Sequence, residues 1–79
     1  MLKAHIYRIL KGAPHAGIIV AALRTELSVR LTRAVGEAEL ADALADMRSR
    51  AHLRDDTDEM TGDPVVSLTL AGGKAAAKL

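Results

Sequence analysis

Gly36-Glu37-Ala38-Glu39-Leu40-Ala41-Asp42-Ala43-Leu44-Ala45-Asp46-Met47-Arg48-Ser49-Arg50-Ala51-His52-Leu53 carries both an amphipathic helix and its abrupt end. Leu40, Leu44, Met47 and Ala51 recur at steps of four, three and four, which places them on one stripe of a helix. Glu37, Glu39, Asp42, Asp46 and Arg50 make the opposite face charged. Glu37 and Glu39 in the first turn suit the positive pole of the helix dipole, and Arg48 and Arg50 suit the other pole. His52 stands where a helix-terminating residue is required, and Leu53 opens an extended segment. The spacing predicts a helix over 37–51, capped at its start by Gly36 or Thr32.

Working toward the N-terminus, Thr32-Arg33-Ala34-Val35-Gly36 reads as a turn. Before it, Val20, Leu23, Leu27 and Leu31 fall on a stripe widened by Ile19 and Ala22, which predicts a helix from about Gly17 to Leu31. Ile18-Ile19-Val20 is β-branched and compatible with a strand, but the length of the periodic run favours helix. Leu2, Ile6, Ile9 and Leu10 mark a first helix over 2–11, with Tyr7 off the stripe as a packing residue. Gly12 is expected to close it in the left-handed conformation, and Pro14 prevents its continuation.

Toward the C-terminus, Leu53 to about Asp58 reads as a strand and Glu59-Met60-Thr61-Gly62-Asp63 as a turn, with Gly62 free to adopt positive φ. Pro64 opens a second strand, where its missing N–H is tolerated. Val66, Leu68 and Leu70 alternate onto one face of that strand, and residues 71–79 follow as a short Ala-rich helix.

With 79 residues the chain is sized for one domain, 1–79. The single aromatic, Tyr7, leaves a core of Leu, Ile, Val, Ala and Met, thin enough to make self-association as a homodimer a reasonable expectation. The absence of cysteine removes disulfides and thiolate zinc sites and fits a cytoplasmic, reducing setting. The longest apolar run, Ile18 to Leu23, is too short to span a bilayer, and the first residues lack the apolar core of a signal peptide.

Three helices, a two-stranded hairpin and a closing helix, an α+β but mostly α arrangement, give the element order of the winged helix-turn-helix family. The residues carry a resemblance as well. Glu39 to Leu44, running on through Ala51-His52-Leu53, resembles that family's third helix and its exit into the wing, where members often have glycine in place of His52. Asp58 to Asp63 resembles a wing tip, and Ser67-Leu68-Thr69-Leu70-Ala71-Gly72 is similar to the last strand turning into the closing helix. The resemblance covers nearly the whole chain and implies a DNA-binding regulator, with 37–51 as recognition helix and 53–70 as wing. It implies base-facing positions at Glu39, Asp42, Ala43, Asp46, Ser49 and Arg50.

The charges pull against that implication. Residues 1–36 carry six bases against Glu26 alone, whereas residues 37–63 carry nine acids against Arg48, Arg50 and Arg54. Carboxylates on the third helix and on the wing (Asp55, Asp56, Asp58, Glu59, Asp63) oppose a polyanion. Duplex binding therefore requires Arg50 and Ser49 to reach bases, and Arg33, Arg48 and Arg54 to hold phosphates while the acids turn away. Otherwise the basic first two helices bind nucleic acid in a non-standard way, or their charges are simply solvated. The alternative is a protein-interaction module in which Glu39, Asp42 and Asp46 dock a basic protein surface, the basic half of another copy included.

No nucleophile elbow or phosphate loop is present, and Gly72-Gly73-Lys74 lacks the upstream glycine and the following Ser or Thr. His5, His15 and His52 lie in different elements without ligand spacing, and the wing acids lack the spacing of a calcium loop. The sequence thus points away from an enzyme, a metal site or a cofactor.

Overall fold

Buried aliphatic side chains from the first three helices and the hairpin meet in one cluster. Its fully enclosed members are Ile6, Leu23, Leu27, Val35, Met47 and Val66. The computed structural model describes residues 2–14 and 16–79. Helix α1 (Leu2–Gly12) supplies Ile6, Ile9 and Leu10 to the cluster, the stripe expected from their spacing. Gly12 ends this helix without the left-handed conformation expected of it. The glycines with positive φ are Gly17, at 92°, and Gly62, at 77°. His15, one of the three histidines considered as ligands, lies outside the described residues.

The β-branched pair Ile18–Ile19 is strand β1, not the start of a helix. It pairs antiparallel with β3 (Pro64–Leu68) in the register Ile18↔Val66 and Ile19↔Val65. This pairing across the chain overrides the local helical periodicity, and β-branched side chains suit the pleated surface. Gly17 permits the approach, because a Cβ there would strike the Val66 carbonyl oxygen. Helix α2 (Val20–Leu31) then buries Leu23 and Leu27 and ends at Thr32, which is left-handed at φ 52°.

The turn between α2 and helix α3 (Glu37–Ser49) is pinned by Val35, which is buried. Its N–H donates to Ser28 Oγ at 3.1 Å, and its carbonyl accepts from Arg24 Nε at 2.7 Å, so neither backbone group of the buried residue is left unpaired. Gly36 is the N-cap of α3, and Leu40, Ala43, Leu44 and Met47 face the core. The helix is two residues shorter than expected. Arg50 is its C-cap, and Ala51 is exposed rather than part of the apolar stripe. Ala51, not His52, takes the left-handed conformation, at φ 58°. The N–H groups of Ala51 and His52 donate to the carbonyls of Arg48 (2.9 Å) and Met47 (3.0 Å), which closes the helix in a Schellman arrangement.

Strand β2 (Leu53–Thr57) pairs antiparallel with β3 from Leu53↔Leu68 to Thr57↔Pro64, giving the sheet order β1-β3-β2. The hairpin tip is held by Asp58. Its N–H donates to the Asp63 carbonyl at 2.8 Å, and its Oδ1 accepts from the Met60 N–H at 2.8 Å. The strand ends at Leu68. Leu70, expected on the buried face, is 80% exposed and opens helix α4 (Leu70–Ala77). Thr69 explains the early ending, because its Oγ1 accepts from the Gly72 N–H at 3.0 Å and so caps α4. Helix α4 packs against α1 and buries Gly72 and Ala76.

Two substitutions test this backbone. A Cβ on Gly72 would collide with the His52 carbonyl, whereas one on Gly73 meets nothing within 4 Å. Gly72→Ala should lower stability by about 1–3 kcal/mol in denaturant unfolding, and Gly73→Ala should raise it by roughly 0.5–1 kcal/mol. Ala51→Gly should also stabilise, by roughly 0.5–1 kcal/mol, because glycine relieves the left-handed strain. Equal midpoints for the two α4 variants would refute the close packing of Gly72 on the α3 exit.

Candidate nucleic-acid interface

With Leu40, Ala43, Leu44 and Met47 inward, helical spacing turns Ala38, Ala41, Asp42, Ala45 and Ser49 outward, and all five are exposed. Ala43, placed among the base-facing positions by the resemblance, belongs instead to the core edge, at 9% exposed. The outward face of α3 therefore carries one carboxylate, Asp42, among small side chains. The other acids of the helix lie on its two flanks, each beside a base.

Arg33, in the turn before α3, grips Glu39 with two nitrogens at 2.9 and 2.6 Å. Arg48 grips Asp55 of β2 in the same two-pronged way, at 2.8 and 2.7 Å. Asp46 Oδ2 accepts from Arg50 Nε and from Lys3 Nζ, each at 3.0 Å. Arg24 bonds Glu37 at 3.2 Å. Three of the five candidate DNA contacts, Arg33, Arg48 and Arg50, are thus already paired. Two of the three candidate docking acids, Glu39 and Asp46, are their partners. Ser49 Oγ donates to the Asp46 carbonyl at 2.7 Å, which leaves its oxygen available as an acceptor on the outward face.

Arg54 stands apart from this group. Strand alternation puts Leu53 and Asp55 on the side of the sheet that meets α3, and puts Arg54 and Asp56 on the other side. Arg54 is exposed and has no carboxylate partner among the described residues. Two hairpin acids serve the backbone. Besides the Asp58 cap, Asp56 Oδ1 accepts from the Thr57 N–H at 2.8 Å. These bonds satisfy N–H groups at the end of β2 and in the turn, which gives two of the hairpin acids a local structural cause.

The pairing holds the acids ionised. The Arg33 hydrogen bond keeps the Glu39 carboxyl below its ordinary range, and Arg48 does the same for Asp55. Asp46 is lowered first by Lys3 and then by Arg50. All of these pairs are solvent-exposed, so each contributes little stability and remains exchangeable. Sequence reasoning missed Lys3 and Arg24 as members of the network. The Asp46–Arg50 spacing of four was readable as a helical pair, but Arg48–Asp55 joins two elements and becomes visible only once the hairpin is placed.

Tyr7 does more than pack. Its hydroxyl lies 2.7 Å from His52 Nδ1, tying α1 to the α3 exit. Among the described residues no group of His, Cys, Asp or Glu is arranged to hold a metal ion, and no helix is long and apolar enough to cross a membrane.

Removing Arg48 tests the pairing. In an NMR titration of the carboxyl carbons, Arg48→Ala should move the Asp55 midpoint up toward the ordinary aspartate value of about 3.9. A depressed carboxyl contributes stability above its unfolded pKa and loses it as pH falls through the lower folded value. The wild type should therefore lose more stability than Arg48→Ala between about pH 4 and the lower Asp55 midpoint. An unmoved Asp55 midpoint would show that the ion pair does not form in solution.

No family model matches the sequence, and no curated protein matches it. Solved structures do. The crystal structure of SSV1 F-93 superposes with a TM-score of 0.78 at 17% identity, over 98% of this chain and 79% of that one. A MepR mutant from a multidrug-resistant S. aureus clinical isolate gives 0.75 at 14% identity, over 98% of this chain and 52% of that one. The S. aureus MepR–DNA complex gives 0.71 at 14% identity, over 95% of this chain and 51% of that one. The chain spans about half the length of the MepR chains it matches. Four helices, a three-stranded antiparallel sheet and this likeness make the fold a winged helix-turn-helix.

Proposed function

We propose that this chain is a DNA-binding regulatory protein that presents the outward face of α3 to the duplex. The observation that carries this proposal is the likeness, over 95% of the chain, to a MepR chain solved with DNA. The local charge balance of α3 supports it. With Glu37, Glu39 and Asp46 paired, Asp42 remains as the unpaired carboxylate of the helix among the described residues. Alanine and serine on the outward face allow a close approach to a groove. Arg33, Arg48 and Arg50 border that face. A guanidinium carries more N–H donors than one carboxylate engages, so each arginine can add a phosphate oxygen while it still holds its carboxylate. Ser49 and Arg50, near the end of α3, take the base-reading role, and Arg33 and Arg48 the phosphate role. Arg54 faces the other side of the sheet and fits a phosphate role less well.

A protein-docking role rests on a different observation. Asp56, Asp58, Glu59 and Asp63 at the wing have no basic partner among the described residues. In that role Glu39 and Asp46 contribute less than their number suggests, because both are already neutralised, and Asp42 and the wing acids contribute more.

Fluorescence anisotropy of a mixed-sequence labelled duplex distinguishes the two roles. Duplex binding predicts a Kd on the order of 10⁻⁶–10⁻⁴ M at physiological salt, weakening linearly on a log–log salt plot. Arg33→Ala should flatten that slope by about one and weaken all sequences alike. Asp42→Asn should tighten binding by removing the unpaired carboxylate from the face. No binding at low salt would refute the DNA role. Binding unaffected by both substitutions would place the duplex elsewhere on the protein.

A further inference from the structure

The side of the sheet that faces away from α3 is divided by charge. At one end, Lys11 of α1, Arg54 of β2 and Lys74 of α4 line a groove that also contains Leu68 and Leu70, with no acid in its wall. At the other end, Asp56, Asp58 and Glu59 line a second groove. Pro14 borders both, so the two grooves adjoin on one surface. None of the three bases and none of these three acids has an ion-pair partner among the described residues. This contrasts with the α3 flanks, where opposite charges have found each other.

The strand holds the outer members of the two ends apart, while Arg54 and Asp56, two residues apart on the same side of β2, mark the boundary between them. Arg54 pairs in register with Ser67 near the base of the hairpin, and Thr57 pairs with Pro64 at its tip. Three residues of extended strand, about 10 Å, separate the two positions. The tip is also fixed by the Asp58 hydrogen bonds to Asp63 and Met60 and cannot fold back over its own strands.

We propose that this surface is the contact face of a two-fold dimer, in which the acidic end of one copy lies on the basic end of the other. A two-fold axis near Pro14 superimposes the two ends in opposite order, so each copy supplies one acidic and one basic half and the assembly closes at two. Leu70, 80% exposed, lies in the basic groove and gives the contact an apolar component. The complementarity is electrostatic in the main, which predicts a salt-sensitive dimer with selective pairing. The outward face of α3 lies across the sheet and stays open in both copies, so the dimer does not depend on what α3 binds.

Sedimentation velocity over a range of protein and salt concentrations tests this. The expected result is a mass that rises from one copy to two, with a midpoint that moves to higher protein concentration as salt increases. Lys74→Glu and Glu59→Lys, both at exposed positions, should each raise that midpoint at least about tenfold, since each reverses a charge at two symmetry-related contacts. The double variant should recover most of the loss, because the two reversed charges attract again across the interface. Circular dichroism should show all three variants folded. A one-copy mass at every concentration would overturn the proposal, as would a dimer indifferent to both reversals. If Lys74→Glu weakens duplex binding while the mass stays at one copy, the groove holds phosphate and the proposal also fails.

Discussion

At the end of α3 the chain turns through a left-handed alanine, and α1 and the capped start of α4 close on that turn. The Ala51 carbonyl accepts from Thr69 Oγ1 at 2.6 Å, and the His52 carbonyl accepts from the Thr69 N–H at 3.0 Å. Gly72 lies directly on the His52 carbonyl, where no side chain fits. The Tyr7 hydroxyl meets the His52 ring from α1. Thr69 thus acts twice, holding the α3 exit with its donors and capping α4 with the same oxygen. This junction sets the direction in which β2 leaves α3, and therefore where the hairpin stands relative to the helix. Displacing it would move the wing, the Arg48–Asp55 pair and the packing of α4 on α1 together.

The second constraint is charge. An acidic helix beside an acidic hairpin looks hostile to nucleic acid when counted along the sequence. In the folded chain, bases from α1, α2, the turn and α3 itself neutralise Glu37, Glu39, Asp46 and Asp55 one by one. What a partner meets on α3 is a nearly neutral, small-residue face with arginines along its borders. The unpaired charges are displaced to the other side of the sheet and to the wing tip. The two sides of the molecule therefore offer different chemistry, one suited to close approach and phosphate contacts, the other to salt-sensitive pairing.

Much of the architecture was legible because it is local. The α3 stripe as far as Met47, the Gly62 turn and the Pro64 strand start each depend on a few neighbouring residues, and each is where the pattern puts it. The features that escaped depend on distant partners. Ile18–Ile19 is a strand because Val65 and Val66 are beside it, and nothing within the run itself specifies that. Leu70 continues the alternation of β3 on paper, but Thr69 converts the chain to helix one residue earlier. Ala51 adopts the conformation expected of a glycine, and its neighbour His52 was the more conspicuous residue. The candidate site was legible as a list of residues. Its balance was not, because four of its five ion pairs join separate elements or segments, and only Arg50–Asp46 lies within α3 and its C-cap.

On the proposed reading, a duplex meets the outward face of α3. Mapping amide chemical shifts in an NMR titration with a short duplex tests it most directly. A duplex on this face should give the largest changes at Ala38, Ala41, Asp42, Ala45 and Ser49 and at the bordering Arg33, Arg48 and Arg50, with Lys11 and Lys74 on the other side unmoved. Changes confined to the Lys11–Lys74 groove, or none along α3, would contradict it.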